Sequence, residues 1–157
     1  MMINPMDQEP IRDAAPLAAA VASSFTIKRV GQRPLEFQGT ELGMAMSFVP
    51  DATFWFEVNI YRTTEQRFVL VIRQFFQSEN EGDTAKAWEL ESFGEVMDKL
   101  ENYDAADDVR VYGDPSGKGM SLPELMAGAY AYRAQAIAAR QQFGSLVGEI
   151  LHELHER

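Results

Sequence analysis

The chain has 157 residues, enough for one domain with a sizeable core, and its 46% hydrophobic, 24% charged composition is that of a globular protein. It has no cysteine, which excludes disulfides, thiolate nucleophiles and Cys-ligated zinc. Its net charge of −10 opposes binding to duplex nucleic acid, which requires many Lys and Arg to neutralise phosphates.

The first segment, residues 1–23, reads as a flexible arm. Its "APLAAAVASSF" stretch has the composition of a secretion signal but not the pattern. Asp7, Glu9 and Asp13 precede it against a single Arg12, Pro16 interrupts it, and the apolar run is too short for a signal core or a membrane span. The expected location is therefore the cytoplasm, with no membrane partner.

From Phe25 the hydrophobic period is two, the mark of half-buried antiparallel strands. "FTIKRV" alternates Phe25 and Ile27 with Thr26 and Lys28, and "GQRP" is a turn. "LEFQG" sets Leu35 and Phe37 on one face. "ELGMAMSFV" continues with Leu42, Met44, Met46 and Phe48, which are expected to face inward. "FWFEVNIYR" separates Phe54, Phe56, Val58 and Ile60 from Glu57 and Asn59, the latter pair on an expected solvated face. "FVLVIRQFF" is apolar on both faces, which predicts a central strand whose second face meets a helix or a partner. "KAWELES" reads as one more strand with Trp88 and Leu90 inward, with a helix as the alternative.

At Ser92 the period changes to that of a helix. Ser92 and Glu95 have the spacing of a capping box, and Phe93, Val96, Met97, Leu100 and Tyr103 form one apolar stripe. Residues 76–110 hold eleven acids and three bases, a surface that could meet a basic protein partner.

"VRVYGDPSGKGMSLPEL" has glycines and a lysine before a helix, as a phosphate-binding loop does. Yet only three residues separate Gly113 from Gly117, and Gly119 stands where the magnesium-binding hydroxyl belongs. Asp-Pro-Ser-Gly is turn chemistry, and Gly117 or Gly119 can take a positive φ. The expectation is a connection, with no cofactor.

Ser121 and Glu124 make a second capping box, and a helical segment runs over 121–155. One stripe on it is Leu122, Leu125, Ala129, Tyr132, Ala136, Ala139, Phe143, Leu146 and Ile150. A second is Met126, Tyr130, Ile137, Val147, Leu151 and Leu154. Unbroken, this helix is about 50 Å long, whereas a compact chain of this size is about 40 Å across. Either it breaks near Gly144 and Ser145 or it packs on a second chain. The expectation is a homodimer whose interface contains Leu125, Ala129, Tyr132, Ala136, Phe143, Leu146 and Ile150. Gly144 and Gly148, four apart, also permit close helix approach.

The two histidines close the chain in "EILHELHER". Glu149, His152 and His155 supply one Glu-x-x-His pair, short of the two pairs and two further glutamates of a di-iron site. They are better used at a helix C-terminus, where the dipole favours them, so no metal is expected. Both histidines lie in the last six residues, which leaves no nucleophilic triad. Among carboxylates, Glu57 with Asn59 is the first place to look for acid–base chemistry.

These readings give an α+β fold over 24–157. It has an antiparallel meander of five or six strands over 25–91, a helix over 92–104 packed on it, and the long helical segment. The expected function is non-catalytic: a small interaction protein binding a protein partner through its acidic or sheet surface. The alternative is a small enzyme or ligand-binding domain with a pocket between the sheet and the C-terminal helix.

Overall fold

The computed structural model describes residues 22–79, 82–109 and 116–156. Five strands, β1 (Ser23–Arg29), β2 (Gln32–Met46), β3 (Phe54–Thr63), β4 (Phe68–Phe76) and β5 (Thr84–Leu90), form one sheet in the order β1-β2-β3-β4-β5. All pairs are antiparallel, so the fold is an α+β meander. The expected arm over 1–23 lies outside the described residues up to residue 21, and Ser23 already belongs to β1.

Helix α1 (Phe93–Asn102) follows the sheet, then a 3-10 turn (Ala105–Asp108), then helix α2 (Leu122–Glu156). Both capping boxes form. Glu95 N donates to Ser92 Oγ and Ser92 N to Glu95 Oε2, each at 3.2 Å; Glu124 N donates to Ser121 Oγ at 3.3 Å and Ser121 N to Glu124 Oε1 at 3.2 Å. These bonds satisfy backbone donors that a helix start leaves without partners.

The α2 helix is unbroken for 35 residues and passes through Gly144 and Ser145 without a kink residue taking effect. Its C-terminal half lies on the sheet. Ala139, Phe143, Leu146 and Ile150 are buried against Ala45, Phe56, Val58, Ile60, Leu70 and Ile72, with Val96 and Leu100 of α1 at one side, and Ala136 is buried one turn earlier. Small residues on β2 set the close approach. A Cβ on Gly43 would stand 3.1 Å from a methyl of Leu154, and Ala45 is buried beside it.

The inward assignment of Met44, Met46 and Phe48 is corrected here: all three are exposed. Between Glu41 and Gly43 the β2–β3 register shifts by a bulge. Before the bulge, Glu41 stands opposite Tyr61; after it, Met44 and Met46 stand opposite Asn59 and Glu57. The extra residue turns Gly43 and Ala45 toward α2 and sends the methionines to the other face.

That other face is covered by the chain itself. The sheet curls until β1 reaches β5: Val30 N donates to Ala85 O at 3.3 Å, and Arg29 Nη1 to Ala87 O at 3.5 Å. Phe25, Ile27, Leu35 and Phe37 thereby close over Tyr61, Val69, Val71 and Ala87, making a second small core. The doubly apolar strand "FVLVIRQFF" thus needs neither a second helix nor a partner for its far face. Its own β1–β2 hairpin supplies the cover.

Leu146 is 1% exposed and Val30 66%. In urea denaturation Leu146→Ala is expected to lower the unfolding free energy by about 2–5 kcal/mol. Val30→Ala is expected to change it by less than about 0.5 kcal/mol. Equal effects at the two positions would contradict this packing.

Candidate functional site

Beyond the small core, the curled face carries a polar network. β3 alternation places Glu57, Asn59 and Tyr61 on this face, and the register puts Arg73 of β4 directly opposite Glu57. Arg73 Nη1 donates to Glu57 Oε2 at 3.2 Å and to Asn59 Oδ1 at 2.9 Å. Asn59 Nδ2 donates to Glu41 Oε2 at 3.0 Å. Burial pushes the Tyr61 hydroxyl above its ordinary pKa, and the nearby Glu41 carboxylate, to which it is hydrogen-bonded, adds to the shift.

The expected solvated position of Glu57 and Asn59 is therefore corrected. Asn59 is only 5% exposed, and the Glu57 side chain 16%. Arg73 sits within an apolar strand and would strand its charge there without Glu57 across the ladder. The arrangement pairs Arg73 with Glu57, and Asn59 links that pair to Glu41, the carboxylate that also holds the Tyr61 hydroxyl. An arginine inside "FVLVIRQFF" was the available sequence signal, since such a residue demands a carboxylate on an adjacent strand.

Apolar side chains flank this network on the same face. Trp55 stacks on Phe75 with ring centroids 6.0 Å apart, and Phe48 meets Trp55 edge-on at 4.8 Å. Met44 and Met46 lie beside them, exposed. Next to Arg73 is an open cleft of about 420 Å³, lined among the described residues by Lys28, Arg29, Arg73 and one acid, Asp83.

A second cluster ties the 3-10 turn to the rest of the fold. The Tyr103 hydroxyl donates to Asp108 Oδ2, and Lys86 Nζ donates to Asp108 Oδ1 at 2.8 Å while lying over the Tyr103 ring. Burial raises the Tyr103 pKa strongly, and the bond to Asp108 reinforces it. Asp104 receives two bonds from the Arg140 guanidinium, both at 2.9 Å, and one from Ala106 N. These bonds hold its carboxyl down to about 2 from 3.8, the Arg140 bond being the largest cause.

The remaining sequence candidates are dispersed. Of the seven interface residues, Phe143, Leu146 and Ile150 are covered in the chain's own core and Ala136 is buried, whereas Leu125, Ala129 and Tyr132 are exposed. His152 Nε2 lies 3.9 Å from Glu156 Oε1, and no group of three or more potential ligands gathers Glu149, His152 or His155 among the described residues. Gly144 and Gly148 are exposed and meet open space. In the glycine-rich connection, residues 110–115 lie outside the described residues, while Gly117 and Gly119 both adopt positive φ, +69° and +78°. The space between sheet and α2, the location considered for a pocket, is occupied by packed side chains, with Phe56 and Phe143 rings 5.7 Å apart.

Comparison with family models, with curated proteins and with solved structures yields no match for this chain. No helix among the described residues is long and apolar enough to cross a membrane.

Two measurements address these clusters. Arg73→Met is expected to cost about 1–3 kcal/mol of stability, because Asn59 and Glu57 lose their donor. A double-mutant cycle with Glu57→Gln should return a non-zero coupling, and zero coupling would show the pair idle. A carboxyl held below its unfolded pKa adds stability that is complete above the unfolded value and lost as pH falls through the folded one. For Asp104 that window runs from 3.8 down to about 2. Asp104→Asn should therefore flatten the acid limb of the stability curve in that window relative to the unsubstituted chain.

Proposed function

We propose that the chain is a small, non-catalytic interaction protein of the cytoplasm that works as a homodimer and presents its sheet surface to a protein partner. The observation that carries this reading is the first third of α2. Every residue from 121 to 134 is exposed, including Leu122 (69%) and Tyr130 (72%), together with Leu125, Met126 and Tyr132. Five large apolar side chains on one projecting stretch exceed what scattered surface hydrophobics account for, and such patches mark association sites.

Charge favours a second copy as the occupant. Residues 122–139 carry one acid, Glu124, and one base, Arg133, in a chain whose net charge is −10. Two copies approaching along this stretch meet without the self-repulsion that their bodies impose. The filled space between sheet and α2 weighs against the ligand-binding alternative at that place. The Met44, Met46 and Phe48 strip suits a protein partner, since methionine side chains adapt to varied surfaces. A second reading rests on the cleft beside Arg73, where Lys28 and Arg29 stand near an arginine already paired with Glu57 and suit a small organic anion.

Gel filtration with light scattering is expected to give the mass of two chains at micromolar concentration. Leu125→Glu with Tyr132→Glu should reduce it to one, with an unchanged far-ultraviolet circular dichroism spectrum. A monomeric unsubstituted chain would reject the reading.

A further inference from the structure

We infer that the two copies pair through antiparallel α2 helices, with their sheets at opposite ends of the assembly; this rests on the homodimer reading above. The inference comes from the continuity of one seam. Leu122, Leu125, Ala129, Tyr132, Ala136, Ala139, Phe143, Leu146 and Ile150 alternate steps of three and four along α2. That is the a/d spacing by which two helices pack knobs into holes. The last five are the residues by which α2 is buried, and the first four are exposed.

A straight helix drifts about 20° per heptad from such a repeat. From Ala129 to Phe143 the seam therefore turns by only about 40° and stays on the sheet side of the helix. A helix laid on the exposed part of the seam occupies the layer that the sheet occupies farther along. This decides the direction. A parallel partner helix, continuing alongside α2 past Ala136, would run into Phe56, Ile60 and their neighbours. An antiparallel one runs the other way along α2, past Leu122 and away from Phe56 and Ile60.

The exposed stretch from Leu122 to Ala134 is about 20 Å long, nearly four turns. In antiparallel pairing an a residue of one copy meets a d residue of the other. Leu122 then stands opposite Tyr132 of the second copy, and Leu125 opposite Ala129. Each layer joins a larger and a smaller side chain, and Gly128 at one flank, with Ala129 in the seam, leaves room for interaxial distances of about 8–10 Å. The contact is isologous, so it closes at two chains. It also keeps the two acidic bodies apart, beyond a Debye length of about 10 Å at 0.1 M salt.

The absence of cysteine makes a clean test. Leu122→Cys and Tyr132→Cys, one carrying a mass tag, are oxidised mildly, each alone and mixed, at a concentration where light scattering shows dimers. Both positions are exposed, so the fold tolerates them, and circular dichroism checks it. In the antiparallel pair, two copies of either residue are offset by about 15 Å along the axis, beyond the Cα separation of about 7 Å that a disulfide spans. The expected result is a covalent dimer in the mixture alone. Ready cross-linking of either variant by itself would overturn the antiparallel arrangement, as would a dimer that shows no cross-link in the mixture. A monomer in light scattering overturns the homodimer itself, and the pairing with it.

Discussion

The close seating of the C-terminal half of α2 on β2, β3 and the 3-10 turn is the constraint from which the rest of the architecture follows. It depends on Gly43, which leaves no side chain between the strand and Leu154 or Ile150, and on the small side chain of Ala45 farther along β2. The bulge at Glu41 and Gly43 makes this possible by changing which alternate residues face the helix. A β2 strand in unbroken register would turn the methionines onto α2 and hold it off by the length of their side chains. Seating α2 this way also fixes its direction, so its first third projects past the sheet.

Local periodicity made most of the scaffold legible. Alternation marks the strands, with β2 appearing as two runs and β5 open to a helical reading, and both capping boxes are readable from Ser and Glu three apart. The continuity of α2 was left open, since glycine near residue 144 weighs only about 1 kcal/mol against a helix. Burial of Ala139, Phe143, Leu146 and Ile150 outweighs it. The α2 stripe was also visible, but not its division. Ala136 is covered and Tyr132 is not, and that division depends on tertiary packing rather than on the period of the helix.

The polar network lay beyond local reading for a different reason. Asn59 looks like a surface residue in "FEVNIYR", because alternation reports which residues share a face and not what covers that face. The cover comes from strands curling in three dimensions, and the partners Glu41 and Arg73 lie 18 and 14 residues away along the chain. Buried networks of this kind contribute little net stability compared with an apolar replacement, but they penalise wrong registers heavily. A one-residue slip of β3 against β4 would strand Arg73 among valines. The network therefore helps specify the alignment that α2 needs.

The contact of β1 with β5 has a consequence for how copies of this chain can meet. Ala85 O and Ala87 O, which an open terminal strand would offer to any extended segment, are taken by Val30 N and the Arg29 guanidinium. With those acceptors occupied, the first half of β5 is a poorer template for adding strands from another molecule. Uncontrolled stacking into fibrils is thereby discouraged, and recognition is left to side chains, whose shapes can discriminate one occupant from another.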